Sequence, residues 1–413
     1  MNVKIGNLFK GDKVIWMVLL FLCLISLVEV FSASSSLTYK SMDYFGPIMG
    51  HTWKMLVGLG LTIVILNVQC RYFKLATPFM LAISVILLLW VFFFGEKTND
   101  AGRWISILGI KFQPSEIAKG ALVLVTAQIL SALQTDNGAD KRAFKWILVI
   151  AVPMAVLIGL ENLSTGALIL GVIFVMMILG RVPTSLLLKL AGGGVLFIGL
   201  LVGAVYMLGN LEDEEGGRTQ TETVANDDAE KESKKGTSPF HRLTTWKNRI
   251  DKHLNKQEVP PEKFDLNKDA QVAHANIAIV SSNIIGRGPG KSVERDFLPQ
   301  AFSDFIFVII IEELGIFGAA FVVFLYIVLL YRAARIANRC ENNFPAFLVM
   351  GLALMLVMQA TFNMMVAVGL APVTGQPLPL ISRGGTSTII NCAYIGMMLS
   401  ISISAKKRDS KVS

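Results

Sequence analysis

The sequence predicts an all-α, polytopic integral membrane protein: ten transmembrane helices, both termini cytoplasmic, and a large extracytoplasmic loop between the seventh and eighth helices. Three observations carry this. Residues of the AVILMFWYC set make up 53% of the 413 positions and charged residues only 16%, against roughly 25% in an ordinary globular chain. The charge is also gathered, with 30 of the 68 charged residues lying between Leu211 and Gln300, so that the rest of the chain carries a net +10. That remainder divides into apolar runs close to the roughly 20 residues needed to cross hydrocarbon. A disordered chain, a disulfide scaffold and a cytosolic enzyme are excluded together, leaving a single membrane domain over residues 1–413.

In order, the runs fall near residues 14–34, 52–68, 74–95, 115–133, 145–160, 163–181, 184–209, 305–331, 344–370 and 385–404. The first is too long for the apolar core of a signal peptide and is read as a retained helix. Cys23 and Cys392 lie inside runs, Cys70 and Cys340 lie at run ends, and no pair has metal-ligand spacing, so all four read as inert thiols. Lys and Arg occur in small groups between runs, which fits anionic lipid headgroups and excludes nucleic acid. Assigning the short loops alternately places 17 Lys/Arg on one side and 6 on the other, and the richer side is cytoplasmic. Within the long outer loop, residues 212–236 hold almost no large apolar side chain and read as a mobile acidic insertion. Further on, Ala273, Ile277, Val280 and Ile284 recur at helical spacing, predicting a helix on or dipping into the outer leaflet, followed by a Gly-rich turn around Arg287.

Ionisable groups in or capping a membrane helix are functional candidates. Three polar groups share the outer face. In the first, Arg103 and Trp104 precede Gln113-Pro114-Ser115-Glu116, with Pro114 suited to the first helical turn. Glu116 and Lys119 share a helix face and can neutralise each other. A structural ion pair beside an interfacial Trp is the plain reading. In the second group, Asp304 stands among aromatics at the mouth of the eighth run. It is either a general base made more basic by desolvation or a helix N-cap. The third, Pro372 to Ser387, is rich in Pro and Gly, and its Ser/Thr hydroxyls and backbone amides around Arg383 either cradle a phosphate or merely turn the chain. Together they imply a site for an amphiphile with a charged head.

These stretches resemble the SEDS family (shape, elongation, division and sporulation), whose members polymerise peptidoglycan. The resemblance covers the chain except residues 212–236. Arg103, Trp104, Gln113, Pro114, Glu116 and Lys119 match one motif. Gly286, Gly288, Gly290, Ser292, Phe297 to Pro299, Asp304 to Phe307 and Glu312 to Gly315 match a second, and Leu378, Pro379, Ser382, Gly384, Gly385 and Ser387 a third. The family's essential aspartate falls on Asp304. Departures are Phe302-Ser303 for the usual His-Thr, Gln300 for Glu, Asn162 for Asp, Thr374 for a basic residue and Arg383 for Tyr. The expectation is that Arg383 restores a positive charge near the substrate pyrophosphate.

The resemblance implies a peptidoglycan glycosyltransferase that polymerises lipid II with inversion at the outer face of the bacterial cytoplasmic membrane. Asp304 would be the catalytic base. Arg103, Trp104, Gln113, Glu116, Lys119, Arg287, Ser303, Ser382 and Arg383 would bind substrate, with a divalent cation such as Mg or Mn bridging phosphates. The implied partners are a cognate class B penicillin-binding protein and other divisome proteins, since the motif wording sits closer to the division branch, at the septum, than to the elongation branch. The rivals are an elongation polymerase, a lipid II flippase, which needs a polar path through the midplane, and a non-catalytic scaffold.

Overall fold

A computed structural model of the whole chain describes residues 9–34, 46–98, 101–107, 110–196, 199–200, 203, 266–298 and 301–412. The chain forms two compact units, one of residues 1–184 with 265–413 and one of residues 185–264. The predicted acidic insertion lies outside the described residues.

The helices are α1 (Lys13–Ala33), α2 (Gly46–Leu66), α3 (Cys70–Phe94), α4 (Pro114–Ala132), α5 (Lys141–Glu161), α6 (Leu163–Leu179) and α7 (Thr184–Leu196). They continue with α8 (Leu266–Ser281), α9 (Ile306–Ala337), α10 (Asn343–Ala367) and α11 (Thr386–Val412). Among the described residues, eight helices are long and apolar enough to cross a membrane, whereas α6 and α7 are shorter. The chain is thus an all-α polytopic membrane protein, and each of the ten apolar runs overlaps a helix among the described residues. Helix starts follow local chemistry. Asp12 accepts from Val14 N at 2.9 Å and Ile15 N at 3.1 Å to open α1, and Asn162 accepts from Ser164 N at 3.1 Å to open α6. Pro114 begins α4, where its missing N–H costs nothing.

Three short strands, β1 (Glu96–Thr98), β2 (Ala101–Ile107) and β3 (Ile110–Phe112), form an antiparallel meander between α3 and α4. The sequence reading anticipated no strands here. They are short, and the alternation around Trp104-Ile105-Ser106-Ile107 is hidden beside long apolar helices.

The α9 helix is broken at Gly315 (φ 69, ψ −169). The Glu312 and Glu313 carbonyls take bonds from Arg287 N (2.9 Å) and Gly288 N (2.8 Å), while Ile316 N donates to Ile284 O (3.2 Å). The Gly-rich turn thus replaces the helix's own i→i+4 bonds. A Cβ on Gly315 would lie 2.3 Å from Ile284 O, and one on Gly286 would lie 2.4 Å from Glu313 O, so the two backbones can meet only through glycines. The carboxylates complete the seam. Glu313 accepts from Gly290 N (2.7 Å), Ser292 N (3.1 Å) and the Ser32 hydroxyl, and Glu312 accepts from Ser292 Oγ (2.5 Å) and Val293 N (3.0 Å). Both side chains are fully buried.

The α1 and α9 helices are joined at both ends, by Ser32 with Glu313 and by Asp12 with Arg332. About 20 residues separate the ties on each helix, which at about 1.5 Å per residue matches a hydrocarbon core of about 30 Å. The α4 and α11 helices are the most enclosed spans, while α2 and α3 turn most of their surface outward.

Candidate functional site

The Pro/Gly-rich segment between α10 and α11 does not lie on the end of the bundle as a surface turn. Its carbonyls are answered from inside the helices: Asn162 Nδ2 donates to Thr374 O (3.3 Å), Asn363 Nδ2 to Gln376 O (2.7 Å) and Gln359 Nε2 to Pro377 O (3.1 Å). The Tyr326 hydroxyl, eleven residues into α9 from the Gly315 break, donates to Pro379 O. Ser26 Oγ donates to Ile381 O (2.6 Å), which leaves its oxygen to accept a hydrogen bond from His51 Nε2, 2.8 Å away. Irregular backbone survives at membrane depth only when protein groups satisfy it. The segment is a re-entrant loop.

This loop carries Asp304's neighbourhood. Arg383 N donates to Phe302 O (2.9 Å), Ser382 Oγ to Ser303 O (2.5 Å) and Asn363 Nδ2 to Asp304 O (2.9 Å). Ser303 Oγ in turn donates to Asp304 Oδ1 at 3.0 Å. The N-cap of α9 is Phe305, without a side-chain cap bond, and Asp304 stands one residue before it. Asp304 thus directly precedes the positive end of the helix dipole. The Arg383 guanidinium stacks 5.3 Å above the Phe302 ring. An arginine keeps its charge. The site holds an acid, Asp304, and a cation, Arg383, on segments that are bonded to each other.

Of the remaining expected residues, Trp104 meets the loop, whereas Glu116, Lys119 and Arg287 are bonded to other parts of the protein. Trp104 on β2 reaches over the loop end, with indole carbons 3.8 and 3.9 Å from where a Cβ on Gly385 would sit. The side chain of Arg103 lies outside the described residues, although its backbone is part of β2. Gln113 occupies the N-cap of α4 without capping it, and its Nε2 donates to Ser115 Oγ (3.1 Å). Glu116 and Lys119 are buried 2.9 Å apart. Lys119 also donates to Gln359 Oε1 at 2.7 Å, and through Gln359 the pair supports Pro377 of the loop from behind. Arg287 sits at the α9 seam, 3.7 Å from Glu312 Oε1. Among the described residues, no three His, Cys, Asp or Glu gather to hold a metal ion. The sequence reading passed over Ser26, His51, Tyr326, Gln359 and Asn363. The available signal was a polar side chain inside an apolar run, which in lipid needs a partner.

The FtsW/RodA/SpoVE family, described as cell cycle proteins, matches residues 12–407. The chain belongs to this family. A relative named probable peptidoglycan glycosyltransferase FtsW from Halomonas elongata is 30% identical over 401 residues, covering 94% of this chain and 89% of its own. Stage V sporulation protein E of Bacillus subtilis is 28% identical, with 95% and 96% covered. Among solved structures, a chain of a complex described as "Structural coordination of polymerization and crosslinking by a peptidoglycan synthase complex" superposes with a TM-score of 0.69 at 23% identity. It covers 97% of this chain and 99% of its own. RodA of Thermus thermophilus gives 0.62 at 21% identity, covering 96% and 98%. These two share the FtsW/RodA/SpoVE fold with the present chain.

Proposed function

We propose that this chain is a peptidoglycan glycosyltransferase of the FtsW kind, polymerising lipid II at the outer face of the bacterial cytoplasmic membrane during septal wall synthesis, beside a cognate class B penicillin-binding protein. The observation that carries the reading is the docking of the Ser382-Arg383 loop onto residues 302–304, which brings the segment that bears Asp304 against the segment that bears Arg383. Asp304 removes the proton from the acceptor sugar's 4-hydroxyl. The freed oxygen bonds to the donor's anomeric carbon from the face opposite the leaving group, so the bond to the lipid pyrophosphate breaks with inversion. Negative charge grows on the departing pyrophosphate, and fixed cations aimed at it contribute as much as the base. Arg383 occupies that role, and Trp104 covers the sugar or prenyl part. Glu116, Lys119 and Ser382 act from behind, by fixing the loop.

The flippase alternative loses ground because the four ionisable groups that favour it in the sequence are bonded within the protein: Glu116 to Lys119, and Glu312 and Glu313 to the Gly-rich turn. With purified protein, its partner transpeptidase and lipid II, Asp304→Asn is expected to reduce polymer formation by about 100-fold or more. Wild-type polymerisation by that variant would overturn the reading.

A further inference from the structure

We propose that Asn363 of α10 is a positioning residue for the glycosyl transfer, holding the Asp304 backbone and the re-entrant loop in one fixed relation. This rests on the reading of Asp304 as the base. Three successive carbonyls, those of Phe302, Ser303 and Asp304, each receive a hydrogen bond from outside their own segment. The first two donors, Arg383 N and Ser382 Oγ, belong to the loop and would move with it. The third, Asn363 Nδ2, belongs to a long helix and does not.

The same nitrogen has two hydrogens and uses both: one bond runs to Asp304 O at 2.9 Å and the other to Gln376 O at 2.7 Å. Its carboxamide oxygen is buried with no hydrogen-bond partner among the described residues. The side chain therefore serves as a double donor, and two carbonyl acceptors fix its orientation. Asn363 itself is 1% exposed. Among the described residues, no other side chain bonds both the 301–305 segment and the loop from a helix. A base must stand within hydrogen-bond reach of the proton it takes, and a displacement of about 1 Å costs on the order of 100-fold in rate. One amide thus anchors to a helix two segments that the Arg383 and Ser382 bonds already hold together.

The test uses the full chain with its partner transpeptidase and lipid II, comparing Asn363→Leu, Asn363→Gln and Asp304→Asn with wild type. Asn363→Leu keeps the approximate shape and removes both donations. It is expected to lower kcat by on the order of 10- to 100-fold and to leave KM for lipid II within about threefold, because uniform substrate binding is untouched. Asn363→Gln keeps the amide on a longer stem, and its kcat is expected to fall between those of Asn363→Leu and wild type. If Asn363→Leu does not accumulate as folded protein, the Asn363→Gln kcat and KM decide. Wild-type kcat in the variant measured, or a loss confined to KM, overturns the positioning role. Wild-type kcat in Asp304→Asn instead overturns the reading of the base, so the two failures are told apart.

Discussion

A serine hydroxyl has a single proton to give, and at Ser382 it goes to Ser303 O while the oxygen accepts from Leu378 N at 2.8 Å. The hydroxyl is committed to the protein, so a residue expected to touch substrate works by shaping the segment that carries Asp304. Glu29 shows the opposite case. Its side chain in α1 is fully buried, and neither oxygen has a hydrogen-bond partner among the described residues. It lies one turn from both Ser26 and Ser32, on the helix face that meets the loop and the α9 seam. A buried polar group left unsatisfied costs about 1–3 kcal/mol, and replacing it with an apolar side chain of similar shape recovers that. Glu29→Met is therefore expected to raise the melting temperature of the purified protein. A lower melting temperature would mean that the carboxyl holds a partner which stabilises the fold.

The α9 break separates what a helix pattern tells from what it hides. Residues 305–331 read as one apolar run, and the glycine within it is compatible with an unbroken helix. The Gly286-Arg287-Gly288-Pro289-Gly290 turn was also legible, as a flexible turn. That turn and break dock on each other was not, because the pairing joins backbone groups 25 to 32 residues apart and leaves no periodicity. Gly315→Ala places a Cβ 2.3 Å from Ile284 O at a φ of 69. Gly290→Ala, at a φ of 77, meets nothing within 4 Å. The first adds a clash to backbone strain and is expected to destabilise by at least about 2 kcal/mol, the second by about 1 kcal/mol. Thermal melting of the two variants checks the order, and equal losses would mean that the seam yields to a methyl group.

At the scale of the whole molecule, counting apolar runs located the helices because hydrocarbon thickness dictates their length, whatever the tertiary packing. The three motifs likewise placed Asp304, Arg383 and Trp104 in one neighbourhood. The depth of the loop was not legible: a Pro/Gly-rich segment reads as an outside turn, and the side chains that hold it down are single polar residues spread from Ser26 to Asn363. The same distribution predicts how stability and turnover separate. Asp12 and Arg332 tie α1 to α9 at the end opposite the site, with Asp12 also opening α1 and its backbone N–H bonding Ser402 Oγ at 2.9 Å. This pair touches neither the loop nor the Gly315 seam. Losing a charge-assisted bond at a partly exposed site costs about 2 kcal/mol. Arg332→Ala is therefore expected to lower the melting temperature while kcat per folded molecule and KM for lipid II stay near wild type, since the ties at Asn363, Ser382 and Ser32 are intact. A fall in kcat comparable to that of Asn363→Leu would instead mean that the far end of the α1–α9 pair helps to set the geometry of the recess.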